Sequence, residues 1–223
     1  MDETLDVYHS FAEEIKAPEA ELFDRKVGMP AILGAPYNFG PSPVFVPFQK
    51  IARLNREIVV TEKIDGTNAS IHIGDDGTFR TASRSKWITP GKHTDNAGFA
   101  AWAYEHKEEL LLLGPGAHFG EWWGRSIQRN YGLQDKRFSL FNTGRWQDAA
   151  VRPGVVGVVP VLYQGAFDTD AIRTVLSELE RGGSQAAPGF GQPEGIVIYH
   201  TAAKQLFKVT IKNDEKPKSQ QEK

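Results

Sequence analysis

Short runs of β-branched and aromatic residues, separated by turns, recur through most of this 223-residue chain. Such runs are typical of strands, because these side chains pack well on a pleated surface. They predict strands at 58–63, 69–73, 78–83, 118–123, 138–141, 155–163, 195–199 and 206–211. A Gly-Asp-Asp-Gly turn at 74–77 joins the second strand to the third and predicts a β-hairpin.

Two other segments have helical composition. The segment 96–113 is predicted to begin at a cap formed by Asp95 or Asn96 and to end at Gly114, and the segment 168–181 is predicted as a second helix. Many strands with few helices predict an α+β fold of packed sheets.

The ends of the chain differ in composition from its middle. Residues 1–44 are first acidic and then rich in Pro and Gly, and we expect them to pack on the domain that follows. Residues 45–212 are predicted as one compact domain, and the polar stretch 213–223 is predicted to be disordered. No apolar run approaches the roughly 18 residues of a membrane span, and the acidic start lacks the features of a signal peptide. We therefore expect no membrane partner and a cytoplasmic location.

Composition limits the chemistry that the chain can perform. The sequence has no cysteine, which excludes disulfides, thiolate metal sites and cysteine nucleophiles, and its six histidines lack zinc-ligand spacing. The formal net charge of −2 gives no overall basic field. Five basic residues nevertheless lie near the single acid Asp135 and form either a phosphate-facing stripe or an ordinary solvated surface: Arg125, Arg129, Lys136, Arg137 and Arg145.

The stretch TEKIDGTNASIHI at 61–73 places Lys63 at the end of a predicted strand, just before an Asp-Gly pair. A lysine is a nucleophile only when neutral, and its ordinary pKa of about 10.4 requires burial or nearby cations to lower it. We expect Gly66 to leave room for a phosphate, since it has no Cβ. The alternative is an edge lysine beside a common Asp-Gly turn, although the added Thr67-Asn68 makes the pattern much rarer by chance.

These residues carry a resemblance to a known family. EKIDGTN at 62–68 resembles motif I of the ATP-dependent polynucleotide ligases, and its Thr-Asn extension resembles the RNA ligase 2-like branch. Four further segments are similar to later motifs in the family's order: SRS at 83–85, FGEWWG at 119–124, FSLFN at 138–142 and EGIVIY at 194–199. The resemblance implies a nucleotidyltransferase (ATP-grasp-like) fold, in which antiparallel sheets with flanking helices surround a nucleotide pocket.

The resemblance also implies an activity. Lys63 would attack the α-phosphate of ATP and hold AMP as a phosphoramidate, AMP would pass to a 5′-phosphate, and a 3′-hydroxyl would then displace AMP to seal the strand. The implied cofactors are ATP and Mg²⁺ or Mn²⁺. The implied partner is RNA or a nicked nucleic acid with 5′-phosphate and 3′-hydroxyl ends, bound by a monomer.

Residue roles follow from the same motifs. Asn68 would support the nucleotide, Arg84 would lie near ribose and phosphate, and Phe141 would stack on adenine. Glu121 would bind a ribose hydroxyl or support the metal, and Glu194 would bind the divalent ion. Each has an ordinary structural alternative: a turn cap for the asparagine, ion pairs for the charged residues and a core position for the phenylalanine.

Further positions are implied more weakly. Glu62 and Ile64 flank the lysine and would belong to the nucleotide site, while Arg125, Gln128 and Arg129 follow motif III and would contact nucleotide phosphates or the nucleic acid. In the last motif the family has two lysines one residue apart, whereas this chain has Lys208, Thr210 and Lys212 on one predicted strand face. The resemblance favours Lys208 as the phosphate contact, with Lys212 in the second role or that role left vacant.

The alternative functions are DNA ligation, mRNA-capping guanylyl transfer, and a catalytically weak nucleotide- or nucleic-acid-binding module. The Thr-Asn pair disfavours the first two, and the altered last motif motivates the third. The chain leaves little length after residue 211, so we expect a minimal ligase, a ligase that uses a helper domain or subunit, or a domain without its natural remainder.

Overall fold

The computed structural model describes residues 47–48 and 50–212; the expectations for 1–44 and 213–223 therefore lie outside the described residues. In chain order the strands are β1 (Glu57–Lys63), β2 (Thr67–Ile73), β3 (Phe79–Ser83), β4 (Trp87–Ile88), β5 (Gly116–Gly124), β6 (Lys136–Leu140), β7 (Gly157–Val158), β8 (Val161–Ala166), β9 (Gly195–His200) and β10 (Gln205–Thr210). The α-helices are α1 (Phe99–Glu105), α2 (Lys107–Leu110), α3 (Thr143–Trp146) and α4 (Thr169–Gly182).

One sheet has four antiparallel strands in the order β10-β9-β1-β8. Ile58 and Val60 of β1 point to one face and pack with Val175 and Leu179 of α4. Because neighbouring strand residues point to opposite faces, Lys63 lies on the other, half-buried face. The amphipathic helix thus closes one side of this sheet and leaves the lysine side accessible.

The second sheet has six strands in the order β4-β3-β2-β5-β6-β7 and is antiparallel except for the β6–β7 pair. Its helix-side face carries Ile71, Trp122 and Phe138, which form a core with Phe99 of α1. The predicted hairpin at 74–77 is confirmed, since β2 and β3 pair from Ile73 opposite Phe79. The opposite face of this sheet carries the candidate site.

The single strand predicted at 155–163 is wrong. The chain forms β7 in the six-stranded sheet and β8 in the four-stranded sheet, with Val159 and Pro160 between them. The Val159 amide donates to the Leu140 carbonyl at 3.0 Å, and the Pro160 carbonyl accepts from the Glu62 amide at 2.9 Å. Proline cannot donate a ladder hydrogen bond, so this position suits a crossing between sheets rather than a strand interior.

The helix predicted at 96–113 is also divided. α1, α2 and a 3₁₀ turn at Leu111–Leu113 follow one another, and Gly114 ends them with a φ of 78°. The Asp95 carboxylate accepts from the amides of Ala100 and Ala101 at 2.7 and 3.0 Å, which satisfies donors at the start of α1 as the predicted cap would.

The predicted α+β class is confirmed: two mainly antiparallel sheets pack helices on their outer sides. No helix in the part of the chain that the structure describes is long and apolar enough to cross a membrane.

Candidate active site

Lys63 is the last residue of β1, at the point where the chain leaves the four-stranded sheet. Its Nζ lies 2.6 Å from Oε2 of Glu194, which immediately precedes β9. Glu194 is 3% exposed, and the lysine side chain is 21% exposed. A buried carboxylate therefore holds the amine of a lysine side chain that stays partly exposed.

Glu121 of β5 forms the opposite side of the site. Its Oε1 accepts from the Gly66 amide at 2.9 Å, and its Oε2 accepts from Nδ2 of Asn68 at 3.0 Å. Asn68 and Glu121 are directly paired across β2 and β5, so both side chains point to the same face of the six-stranded sheet. The structure therefore places these two predicted site residues side by side.

Several carboxylates around one lysine give the site its electrostatic character. Burial raises the pKa of Glu121 to about 7, and the negative charges of Glu194 and Asp65 add to the increase. The Gly66 amide and the positive charge of Lys63 act in the opposite direction. The site therefore favours added positive charge or a hydrogen-bond donor at Glu121.

Gly66 is required for a different reason from the one expected. A Cβ at this position would lie 2.4 Å from the Trp122 carbonyl oxygen and 2.8 Å from Cβ of Trp123. The glycine thus permits the close approach of the 64–66 segment to β5, which lets its amide reach Glu121. The expected clearance for a phosphate stays a prediction.

A second network fixes the Asp-Gly pair. Nε of Arg129 donates to Oδ2 of Asp65 at 3.0 Å, and its Nη1 donates to the Gln192 carbonyl at 3.2 Å. The Asp65 amide donates to the hydroxyl of Tyr131 at 2.7 Å, and burial raises the pKa of that phenol. Arg129 thus links the segment after Lys63 to the loop before Glu194.

Glu62 points away from Lys63, as strand alternation requires. Its carboxylate accepts from Oγ of Ser184 at 2.5 Å and from the amides of Gln185 and Ala186 at 2.8 and 2.9 Å. These partners lie in the loop after α4, so the carboxylate anchors that loop. The predicted nucleotide contact of Glu62 thus lacks geometric support.

Ile64 and Phe141 belong to one apolar cluster behind the site. Ile64, Trp123, Tyr131 and Val159 form its buried centre, and Phe141 packs against it while remaining partly exposed. Adenine stacking by Phe141 stays a prediction, and the partial exposure of its side chain is compatible with it.

The two adjacent tryptophans of β5 are both buried, and each is 2% exposed. They point to opposite faces of the strand, as alternation requires. Trp122 enters the helix-side core, and Trp123 enters the cluster with Ile64.

The lysines of the last motif lie on or beyond β10, an edge strand. Thr210, rather than a lysine, is aligned with Gly195 and through it with Lys63. Lys208 lies on the same face one pair further along, and Lys212 follows the end of the strand. The Thr210 hydroxyl donates to the Lys212 carbonyl at 3.0 Å. Lys208 is therefore the better placed of the two lysines.

The remaining predicted contacts are exposed. Arg84 lies in the turn between β3 and β4, and Arg125 and Gln128 lie in the loop after β5. Arg129, by contrast, is half-buried and engaged with Asp65. Nothing in the geometry assigns the three exposed residues a ligand.

The predicted basic stripe at 125–145 is not a single surface. Nζ of Lys136 donates to the Ala97 carbonyl at 2.7 Å on the helix side of the sheet, whereas Arg137 pairs with Asp135 at 3.0 Å and faces the other side near Trp123. Arg145 donates to the Leu113 carbonyl at 2.8 Å. Strand alternation separates neighbours that look continuous in sequence.

Three residues of these networks were not predicted from the sequence: Asp65, Tyr131 and Ser184. Asp65 had a usable signal, because it is an acid beside the candidate lysine inside the quoted motif. Tyr131 and Ser184 had none, since their partners are 66 and 122 residues away.

The available donor set fits a divalent ion only together with a ligand. No three carboxylate or imidazole groups within the described residues come close enough to hold a metal ion. Two buried carboxylates, Glu121 and Glu194, do match the protein contribution that Mg²⁺ usually receives when substrate phosphates complete its shell.

A family model described as RNA ligase matches residues 56–210, which is more than half of the chain. The chain belongs to the RNA ligase family. The match covers every strand of the RNA ligase domain described above. A comparison with curated proteins gives no match.

Among solved structures, this RNA ligase family chain is similar to variants of an RNA ligase from Naegleria gruberi. The apo form has 23% identity and a TM-score of 0.52, the form with AMP and Mn has 22% and 0.52, and a form with ATP and Mn has 22% and 0.53. Each match covers 70% of this chain and 50% of the other, so the chain spans about half the length of these structures. The likeness confirms the predicted nucleotidyltransferase fold.

Proposed function

We propose that this chain is an ATP-dependent RNA ligase that works through a lysyl-AMP intermediate at Lys63. The observation that supports this most directly is the 2.6 Å contact between Nζ of Lys63 and the buried Glu194, inside the range matched by the RNA ligase family. A strand-anchored amine on a partly exposed side chain is suited to attack on a bound phosphate.

In the first step Nζ of Lys63 attacks the α-phosphorus of ATP. The N–P bond forms, the bond to pyrophosphate breaks, and the amine loses its protons before and after attack. Glu194 orients the amine and is placed to accept a proton from it. In the later steps a 5′-phosphate oxygen takes AMP from the lysine, and a 3′-hydroxyl displaces AMP to form the phosphodiester bond.

The other residues bind and orient the nucleotide. Asn68 and Glu121 form one wall, Phe141 offers a ring for the base, and Lys208 offers a cation on the same sheet face as Lys63. Arg84, Arg125 and Gln128 remain proposed contacts to phosphates or to the RNA. A divalent ion held by Glu194 and Glu121 would neutralise the charge that develops on the phosphate oxygens.

The test is covalent labelling of the protein with α-labelled ATP and Mg²⁺ or Mn²⁺. We expect an AMP label on the wild type that survives alkali and is lost in acid, as the N–P bond of a phosphoramidate is. We expect no label on Lys63→Ala and an unchanged label on Lys136→Ala, which removes an exposed lysine on the helix side of the six-stranded sheet. Sealing is then measured with 5′-phosphorylated RNA on the labelled enzyme. A label that survives in Lys63→Ala, or a wild type without any label, would contradict the proposal.

A further inference from the structure

A group of aromatic and basic side chains lies beyond the nucleotide site, at the β4 edge of the six-stranded sheet. Trp87 is 50% exposed, and the Arg80 guanidinium lies 4.0 Å from the centre of its ring. The His72 ring meets Trp87 edge-on at 4.7 Å and Phe119 at 5.9 Å. We call these four residues the β2–β5 platform.

The strand register places this platform on the same face as the site. His72 pairs with Arg80, Ala82 pairs with Trp87, and Ser70 pairs with both Ala82 and Phe119. Ser70 and His72 lie two and four residues from Asn68 on β2, so they point to its face. Residues paired across strands share a face, which places Arg80, Trp87 and Phe119 there as well. From β5 to β4 the face extends three strand spacings, about 14 Å at about 4.8 Å each.

The side chains around Trp87 are held in place rather than loosely exposed. Oγ of Ser70 lies 3.0 Å from Nε2 of His72, which fixes the imidazole against the indole. Burial, and secondarily the charge of Arg80, lowers the pKa of His72, so the ring is mainly neutral at pH 7 and presents a flat surface. Ordered aromatic faces are well suited to base stacking, because little side-chain entropy is lost on binding.

The charge of the segment indicates which partner fits. Residues 79–94 contain Arg80, Arg84, Lys86 and Lys92 and no aspartate or glutamate, although the whole chain has a net charge of −2. An exposed tryptophan beside an arginine also occurs at protein interfaces. A sheet face that carries Arg80 beside stacking rings, next to a turn with Arg84 and Lys86, matches single-stranded nucleic acid more closely.

We propose that the β2–β5 platform binds the RNA strand next to the end being joined, with a base stacked on Trp87. This rests on the proposed function, because it gives the RNA a path along the face that carries the site. Stacking recognises every base, so the platform adds affinity with little sequence preference. Arg84 and Lys86, in the turn before Trp87, would neutralise backbone phosphates.

The test measures RNA binding and AMP labelling separately on the full chain. Fluorescence anisotropy with a labelled, 5′-phosphorylated single-stranded 12-mer gives the Kd of wild type, Trp87→Ala and Trp87→Phe. We expect Trp87→Ala to raise the Kd at least fivefold, a rough figure for the loss of one stacked base, and Trp87→Phe to stay within about twofold, since its ring can stack. The control is Tyr104→Ala, which removes an aromatic ring 40% exposed on the helix side of the same sheet.

The outcomes separate this inference from the proposed function. Labelling with ATP alone should be equal in wild type and Trp87→Ala, because the platform lies outside the nucleotide site. A wild type that binds RNA through Trp87 but takes no AMP label would support the platform and contradict the ligase proposal. The platform proposal would be overturned if Trp87→Ala left RNA binding unchanged, or if Tyr104→Ala weakened it equally. The exposed patch would then be better explained as a surface for a protein partner.

Discussion

Glu121 is a buried carboxyl group whose ionisation lowers the stability of the fold but suits it to bind a ligand. Glu121 is 7% exposed, and the Gly66 amide and the Asn68 side chain, which donate hydrogen bonds to its carboxylate, are both uncharged. Burial is the main reason that its pKa rises to about 7. A carboxyl group that is costly to ionise in its buried position is well prepared for a ligand that carries positive charge or donates hydrogen bonds.

The substitution Glu121→Gln should therefore change how stability depends on pH. Between about pH 4.5 and 7 the folded protein holds a proton on Glu121 that the unfolded chain has released, so the free energy of unfolding should fall as pH rises. The loss is at most about 3 kcal/mol at pH 8, at about 1.4 kcal/mol per pKa unit. Gln should remove this loss, while AMP labelling should decrease strongly.

The measurement is urea unfolding of both proteins at pH 5, 6, 7 and 8 in EDTA without nucleotide. The difference between the two proteins isolates Glu121, because other acids titrate alike in both. Two of these are Asp76 and Asp135, whose pKa values are lowered by hydrogen bonds with Thr78 and Arg137 respectively. If the free energy of unfolding varied with pH in the same way in both proteins, the raised pKa of Glu121 would be contradicted.

The loop after β5 is an element whose conformation is strained. Ser126, Gln128, Asn130 and Tyr131 all have positive φ values between 45° and 63°, a region that non-glycine residues rarely adopt. Such strain persists only when the surrounding contacts hold it. Here the bonds from Arg129 to Asp65 and to the Gln192 carbonyl hold the loop against both segments that carry Lys63 and Glu194.

The sequence predicts that Arg129 contacts nucleotide phosphates or the nucleic acid. Its hydrogen bonds to Asp65 and to the Gln192 carbonyl lead us to propose a positioning role instead. Arg129→Ala should reduce AMP labelling in the absence of RNA by about tenfold or more, since hydrogen bonds between charged groups are typically worth about 1.5–3 kcal/mol. Arg125→Ala, which removes an exposed arginine of the same loop, should leave labelling within about twofold. Initial labelling rates at saturating ATP give the comparison. Normal labelling combined with weak RNA binding in Arg129→Ala would restore the original prediction.

The sequence predicted those elements whose signal is local. Strand alternation in IVVTEK and ASIHI and the turn at 74–77 predicted most strands. The motifs named Lys63, Glu121 and Glu194 as site residues, and the structure places these three side chains near one another. The prediction of one strand at 155–163 was wrong because most residues there suit a strand. The division into β7 and β8 depends on pairing with two different sheets, which the local sequence does not show. The hydrogen-bond partners of Glu62 and Arg129 could not be predicted, because contacts across more than 60 residues leave no local sequence pattern.

At the scale of the whole molecule, the site depends on how the two sheets are joined. The segment 64–66 carries the chain from β1 to β2, and Val159 with Pro160 hydrogen-bonds to β6 on one side and β1 on the other. The cluster of Ile64, Trp123, Tyr131 and Val159 fills the space between these two connections. Lys63 belongs to one sheet and Glu121 to the other, so this cluster sets the distance between them.

Truncating Ile64 should thus impair the site more than its cost in stability explains. Ile64→Ala should lower the free energy of unfolding by about 2–4 kcal/mol, as is usual for buried isoleucine, and should slow AMP labelling at least tenfold in the folded protein, because about 1 Å of misplacement can cost far more than that. Ile58→Ala provides the matched control, since Ile58 is equally buried in β1 but packs against α4. It should lose similar stability and keep its labelling rate when both variants are assayed well below their unfolding temperatures. Equal slowing of labelling in the two variants would mean that general destabilisation, and not the joint between the sheets, controls the geometry around Lys63.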